Sequence, residues 1–127
     1  MTGILSNGHN EILYKSLQQK RRSKFYYSTL NNCMFIIQLT YTHSLEEINR
    51  LLDDHKLFLE KYYLEGIFIL SGRKQPRTGG VILARAESMA AIEKIIAEDP
   101  FNRHGLADYT ITEFIPTMSN EALKSLL

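Results

Sequence analysis

The chain has 127 residues, a net charge of +1, 44% apolar residues and 23% charged residues, which bounds it to one domain with a core of moderate size. It contains no run of about 18 apolar residues, so no membrane span is expected, and its near-neutral charge gives no support for a nucleic-acid or membrane partner. Cys33 is the sole cysteine, so no intrachain disulfide or cysteine-based metal site can form, and a reducing, cytoplasmic setting is expected.

The charge is unevenly placed. Residues 1–33 hold Lys15, Lys20, Arg21, Arg22 and Lys24 against Glu11, while the rest is net acidic. These residues read as a solvated extension, dispensable for folding, with loose apolar spacing that supports at most a short helix. Met34 then opens the β-prone run "MFIIQLTY" and has the placing of a natural start. Ser44 with Glu47 three positions on fits a capping box, and the helix that follows is expected to run to Glu65, with Gly66 at C′. Its stripe is Ile48, Leu51, Leu52, Phe58, Leu59, Tyr62 and Tyr63, in steps of 3 and 4. Glu46, Glu47, Asp53 and Asp54 form its solvated face.

"IFILSG" reads as a second strand, "RKQPRTGG" as a basic loop and "VILARA" as a third strand. The loop lacks phosphate-loop spacing, so Arg73, Lys74 and Arg77 are either solvated loop residues or contacts for an anionic substrate group. Ser88 caps a second helix with Met89, Ile92, Ile95 and Ile96 on its buried face, expected to end on Glu98 and Asp99 before Pro100. "DYTITEFIP" alternates as a half-buried fourth strand, and "SNEALKSLL" can form a terminal helix capped by Ser119 or Asn120. The order β-α-β-β-α-β predicts a ferredoxin-like α+β fold with a four-stranded antiparallel sheet and helices on one face. The other face needs a cover, and a second copy of the chain is the simplest, giving a dimeric α/β barrel.

Two features point to chemistry. Acidic side chains are disfavoured at the carbonyl end of a helix, so Asp99 is either a solvated stop or held there for a partner. His55 interrupts the apolar stripe of the first helix, four residues after Leu51 and three before Phe58. That spacing turns the imidazole to the buried face, where apolar surroundings favour its neutral form and a carboxylate favours its charged form. A lone His there is commonly a core residue. Paired with Asp99 it can also serve as a general acid or base.

Three pieces of the chain, "DDHKLFLEKYYLEG", "FILSGRKQPRTGGVILA" and "EDPFNRHGL", occur in the order and spacing of the YciI-like proteins, which this chain resembles from Met34 to about Pro116. The resemblance implies a dimeric ferredoxin-like protein in which His55 and Asp99 match the family's active-site pair. From the residues themselves, Arg103 and His104, which follow Asp99 closely, and Ser71 and Arg73, at the end of the second strand and in the basic loop after it, are candidate substrate contacts. One branch of that family is associated with cofactor-free dehydrochlorination of a chlorinated hydroquinone. The expected function is therefore a small cofactor-independent lyase- or hydrolase-like enzyme, with no metal, a small-molecule ligand and a second copy as partner. The alternative is a non-catalytic binding or accessory module of the same fold. A heme- and flavin-free monooxygenase of the related dimeric barrels is a third reading.

Overall fold

In the computed structural model, which describes residues 33–127, strand β1 occupies Met34–Tyr41. Successive side chains of a strand point to opposite faces. Phe35, Ile37 and Leu39 are accordingly buried on one face, while Gln38 and Thr40 are exposed on the other. Strands β2 (Phe68–Arg73), β3 (Gly79–Arg85) and β4 (Ala107–Phe114) complete an antiparallel sheet in the order β2-β3-β1-β4. With its helical segments on one face, this is the expected ferredoxin-like α+β fold. The N-terminal extension and the short helix expected within it lie outside the described residues.

The first helical segment is in two pieces, α1 (Leu45–Arg50) and α2 (Leu52–Leu64), where the periodicity predicted one helix. Leu51 is the break: its φ of −104° and ψ of 4° leave the helical region, and its N–H turns back to Ile48 and Asn49. No Gly or Pro marks the site in the sequence, so local chemistry carries no trace of it. Ser44 caps α1 as expected, accepting the Glu47 N–H at 3.3 Å. At the other end of the segment Gly66 takes φ +76°, and the Gly66 and Ile67 amides bond back to the Tyr63 and Tyr62 carbonyls. That is a Schellman ending, closed by apolar Ile67 and Tyr62, both in the core.

The second helical segment also differs from expectation. Helix α3 (Met89–Ile96) starts on its Ser88 cap but stops at Ala97, short of the acids. A four-residue helix, α4 (Pro100–Arg103), then begins at Asp99. Asp99 therefore sits at the N-cap of α4 and not in the last turn of α3. Asp is among the best N-cap residues and Pro is favoured at the first helical position, so the local chemistry agrees with this reading. The terminal "SNEALKSLL" forms a 3₁₀ helix, Glu121–Leu126, behind Asn120.

Buried residues of α1, α2 and α3, including Ile48, Phe58, Tyr62, Ile92 and Ile96, join Phe35, Ile37, Leu39, Ile82 and Ala84 in a single core. The pairing of the two central strands near the site is shaped by close approach. A Cβ at Gly79 would lie 1.8 Å from the Leu39 carbonyl oxygen, so only glycine lets β3 begin beside β1 there. The opposite sheet face carries Ile36, Leu83 and Leu70 at one end, with Gln38, Thr110 and Thr112 beside them. Leu70 is 67% exposed on that face. Among the described residues no helix is long and apolar enough to cross a membrane.

Candidate functional site

Asp99 and His55, 44 residues apart, meet in the interior. His55 Nδ1 lies 2.8 Å from Asp99 Oδ1, and Asp99 is fully buried. The same Oδ1 accepts the Phe101 N–H at 3.0 Å, which is the cap of α4. Oδ2 accepts the Tyr109 hydroxyl at 2.6 Å. A buried carboxylate is costly unless its oxygens are satisfied, and here three donors converge on it. An ionised carboxylate only accepts, so His55 Nδ1 is the protonated nitrogen facing Asp99. The other ring nitrogen, Nε2, has no hydrogen-bond partner among the described residues.

Several residues of "EDPFNRHGL" have structural tasks. Asp99 caps α4, and Pro100 supplies its first residue. Phe101, 1% exposed, stacks on the His55 ring at 4.2 Å between centroids and 15° between planes. Gly105, at φ +66°, ends α4 and turns the chain into β4, with the Leu106 N–H bonding to the Phe101 carbonyl at 2.8 Å. A side chain at that left-handed position would be strained. The imidazole is thus held by a hydrogen bond at its edge and by packing on its face.

Tyr109 is a residue that sequence reasoning missed. Its signal was present in the alternation of β4, where Ala107, Tyr109 and Ile111 share the inner face. Burial first, and then the Asp99 charge, pushes the Tyr109 phenol well above its ordinary value near 10, so it stays a hydrogen-bond donor. A raised pKa in the folded state means stability that is present below about pH 10 and lost as pH rises further. Tyr109→Phe should therefore cost about 1–2 kcal/mol near neutrality. It should also make the fall of the melting temperature above pH 10 shallower, as read by calorimetry across pH.

Beside His55 opens a cavity of about 270 Å³ between α2 and the β2 edge of the sheet. Leu39, Leu52, Leu59, Ile82 and Phe101 supply apolar wall, and Gly72 and Gly80 leave room by lacking side chains. Ser71 and Arg73 line it, as does Arg77 from the β2–β3 connection. Ser71 accepts a hydrogen bond from the Tyr63 hydroxyl. Lys56 and Tyr41 also line the cavity and were not singled out from the sequence. Arg103 and His104 were expected beside Asp99 in the same pocket. Both are exposed and outside the lining, because successive residues of a helical turn point in different directions while only Phe101 turns inward.

Glu98, although exposed, also has partners. It accepts from Lys61 Nζ at 2.8 Å and from the Tyr62 hydroxyl. Lys61 first and Tyr62 second hold its carboxyl below the ordinary carboxylate value. This pairing clamps the loop before α4 onto α2, next to the His55–Asp99 contact. Cys33 is held in its thiol form, raised by desolvation and then by Glu113, which does not suit a nucleophile. Among the described residues no three His, Cys, Asp or Glu side chains gather as a metal-binding group.

Comparison with solved structures places this architecture. The 5-chloro-2-hydroxyhydroquinone dehydrochlorinase (TftG) of Burkholderia phenoliruptrix, solved with 2,5-dihydroxybenzoquinone, aligns with a TM-score of 0.56 at 19% identity, over 68% of this chain and 95% of that one. SnoaB, a cofactor-independent oxygenase from Streptomyces nogalater, aligns with a TM-score of 0.43 at 13% identity, over 70% of this chain and 96% of that one. No curated protein matches the chain in sequence. The family model of the YCII-related domain matches residues 34–115, from the first residue of β1 to just past the end of β4. The chain therefore belongs to the YCII-related domain family.

Proposed function

We propose that this chain is a small-molecule enzyme of lyase or hydrolase type in which His55 Nε2 transfers the proton and Asp99 holds and stabilises the ring, without a cofactor. The observation that carries this reading is the buried Asp99 bonded at 2.8 Å to a histidine that lines a cavity. A general base needs a fixed tautomer, reach to substrate and a counter-charge for the imidazolium that forms. Asp99 supplies the first and the third, and the cavity supplies the second. Ser71 and Arg73 stand on the wall as substrate contacts. The fold shared with a dehydrochlorinase makes elimination from a ring-sized compound the first reaction to try.

The test measures chloride release from 5-chloro-2-hydroxyhydroquinone and, in D₂O, proton exchange on a panel of hydroxylated and enolisable ring compounds. Turnover by the native chain that His55→Asn abolishes is the expected result. Equal rates in the two proteins would overturn the reading and leave His55 and Asp99 as supports of a non-catalytic binding module.

The protein is further proposed to work as a homodimer joined through the helix-free sheet face. Leu70, Leu83 and Ile36 sit together there, and burying them removes apolar area from water at about 25 cal/mol per Å². Sedimentation is expected to give a dimer at micromolar concentration, and Leu70→Glu should shift it towards monomer. A native chain that sediments as a monomer would rule out this assembly.

A further inference from the structure

Three cationic side chains reach the cavity from separate parts of the chain: Lys56 from α2, Arg73 from β2 and Arg77 from the β2–β3 connection. No Asp or Glu is among the residues that line it. The ion pairs among the described residues lie elsewhere, at Arg50–Glu46, Lys61–Glu98 and Lys124–Glu121, apart from the His55–Asp99 contact itself. Arg77 gives one N–H to Asn49 Oδ1 at 2.7 Å, which braces its guanidinium and leaves further donors of the fork. Lys56 and Arg73 are exposed and Arg77 half-buried, so solvent screens their mutual repulsion while each keeps donors free to meet an anion that enters the cavity.

We infer that the cavity selects a small, flat organic acid, with its carboxylate among Lys56, Arg73 and Arg77 and its apolar ring directed towards His55. The wall supports both halves. Arginine forks match a planar carboxylate in two parallel hydrogen bonds. Beyond the cations, Ser71, His55 and two glycines, the lining is aliphatic and aromatic, suited to an uncharged ring. At about 270 Å³ the space is below the roughly 300–1,000 Å³ of clefts for drug-sized ligands, so a one-ring acid suits it better than a nucleotide. A solvated basic loop would not account for Lys56, which comes from a different element and lines the same wall. The inference deepens the proposed function and rests on it for the orientation of the ring, whereas the anion contacts stand on the lining alone.

The experiment titrates the full chain with benzoate and with benzamide, its neutral counterpart of similar shape, following backbone amide shifts by NMR. Benzoate is expected to bind about tenfold more tightly, with the largest shifts near residues 56, 73 and 77, as charge-assisted hydrogen bonds imply. Added sodium chloride should weaken benzoate and spare benzamide. Lys56→Gln with Arg73→Gln, both at exposed positions, should remove the preference while the amide spectrum stays folded. Equal binding of the two probes, binding of neither, or a preference that survives the double substitution would each overturn the inference. His55→Asn is expected to keep the preference. Its survival there, beside lost turnover, separates the anion contacts from the acid–base role, and its disappearance there would overturn the placement of the carboxylate.

Discussion

His55→Asn should lower turnover by about 10²–10⁴-fold while leaving a folded protein. The Asn amide can still offer an N–H towards Asp99 Oδ1, so the buried carboxylate keeps a donor, but no group remains to take a proton from substrate. Asp99→Asn should act through the same step with a different signature. Three donors face Asp99: the His55 ring, the Phe101 N–H and the Tyr109 hydroxyl. An amide has one acceptor oxygen where the carboxylate has two. His55 and Phe101 can share it, and Tyr109 must turn its hydroxyl to accept from the amide nitrogen. The imidazolium formed during proton transfer then has no counter-charge. A loss of turnover as large as about 10⁴-fold is expected, together with a stability cost of about 1–3 kcal/mol. Paired kcat and urea-unfolding measurements check this. Stability lost with turnover intact in both variants would assign the pair to structure alone.

Phe101→Ala should be among the most destabilising single changes in the domain, at about 3–5 kcal/mol. Phe101 is 1% exposed, stacks on His55, and meets the Tyr41 ring edge-on at 5.9 Å and 80°. Its removal opens a hole between α4, β1 and α2 and takes away the surface that fixes the imidazole plane. Phe101→Leu keeps much of the apolar volume and loses the flat face. Its stability cost should be smaller, while turnover should still fall because the ring is free to tilt. Denaturant midpoints and kcat on the two variants check the separation. A native-like midpoint in Phe101→Ala would show that the stacked rings contribute little to packing.

Much of this architecture is legible locally. The run "MFIIQLTY" is β1 residue for residue, and Ser44, Gly66 and Ser88 take the cap positions their chemistry favours. The helical spacing around His55 placed it on the buried face, where the structure has it. What the spacing could not carry was the break at Leu51. No Gly, Pro or capping side chain stands there, and the residue leaves the helix between two pieces that bury their apolar faces in the same core. The stop at Ala97 was hidden for the opposite reason. Glu98 and Asp99 resemble an unfavourable helix ending until "Asp-Pro" is read as the start of a new helix, with Asp at the cap and Pro at the first position.

The chemical site divides in the same way. By itself the sequence determined the alternating and helical faces, the caps and the residue types able to move a proton, because these depend on neighbours within a few positions of one another. Only the tertiary structure decided that Tyr109 from β4 joins His55 on the Asp99 carboxylate, that the Phe101 ring stacks on the imidazole, and that Arg103 and His104, close to Asp99 in sequence, lie outside the cavity. Nor could sequence distance show that Lys56 shares a wall with Arg73 and Arg77. Sheet order and helix placement set those distances, and they arise from burying one common core rather than from any local signal.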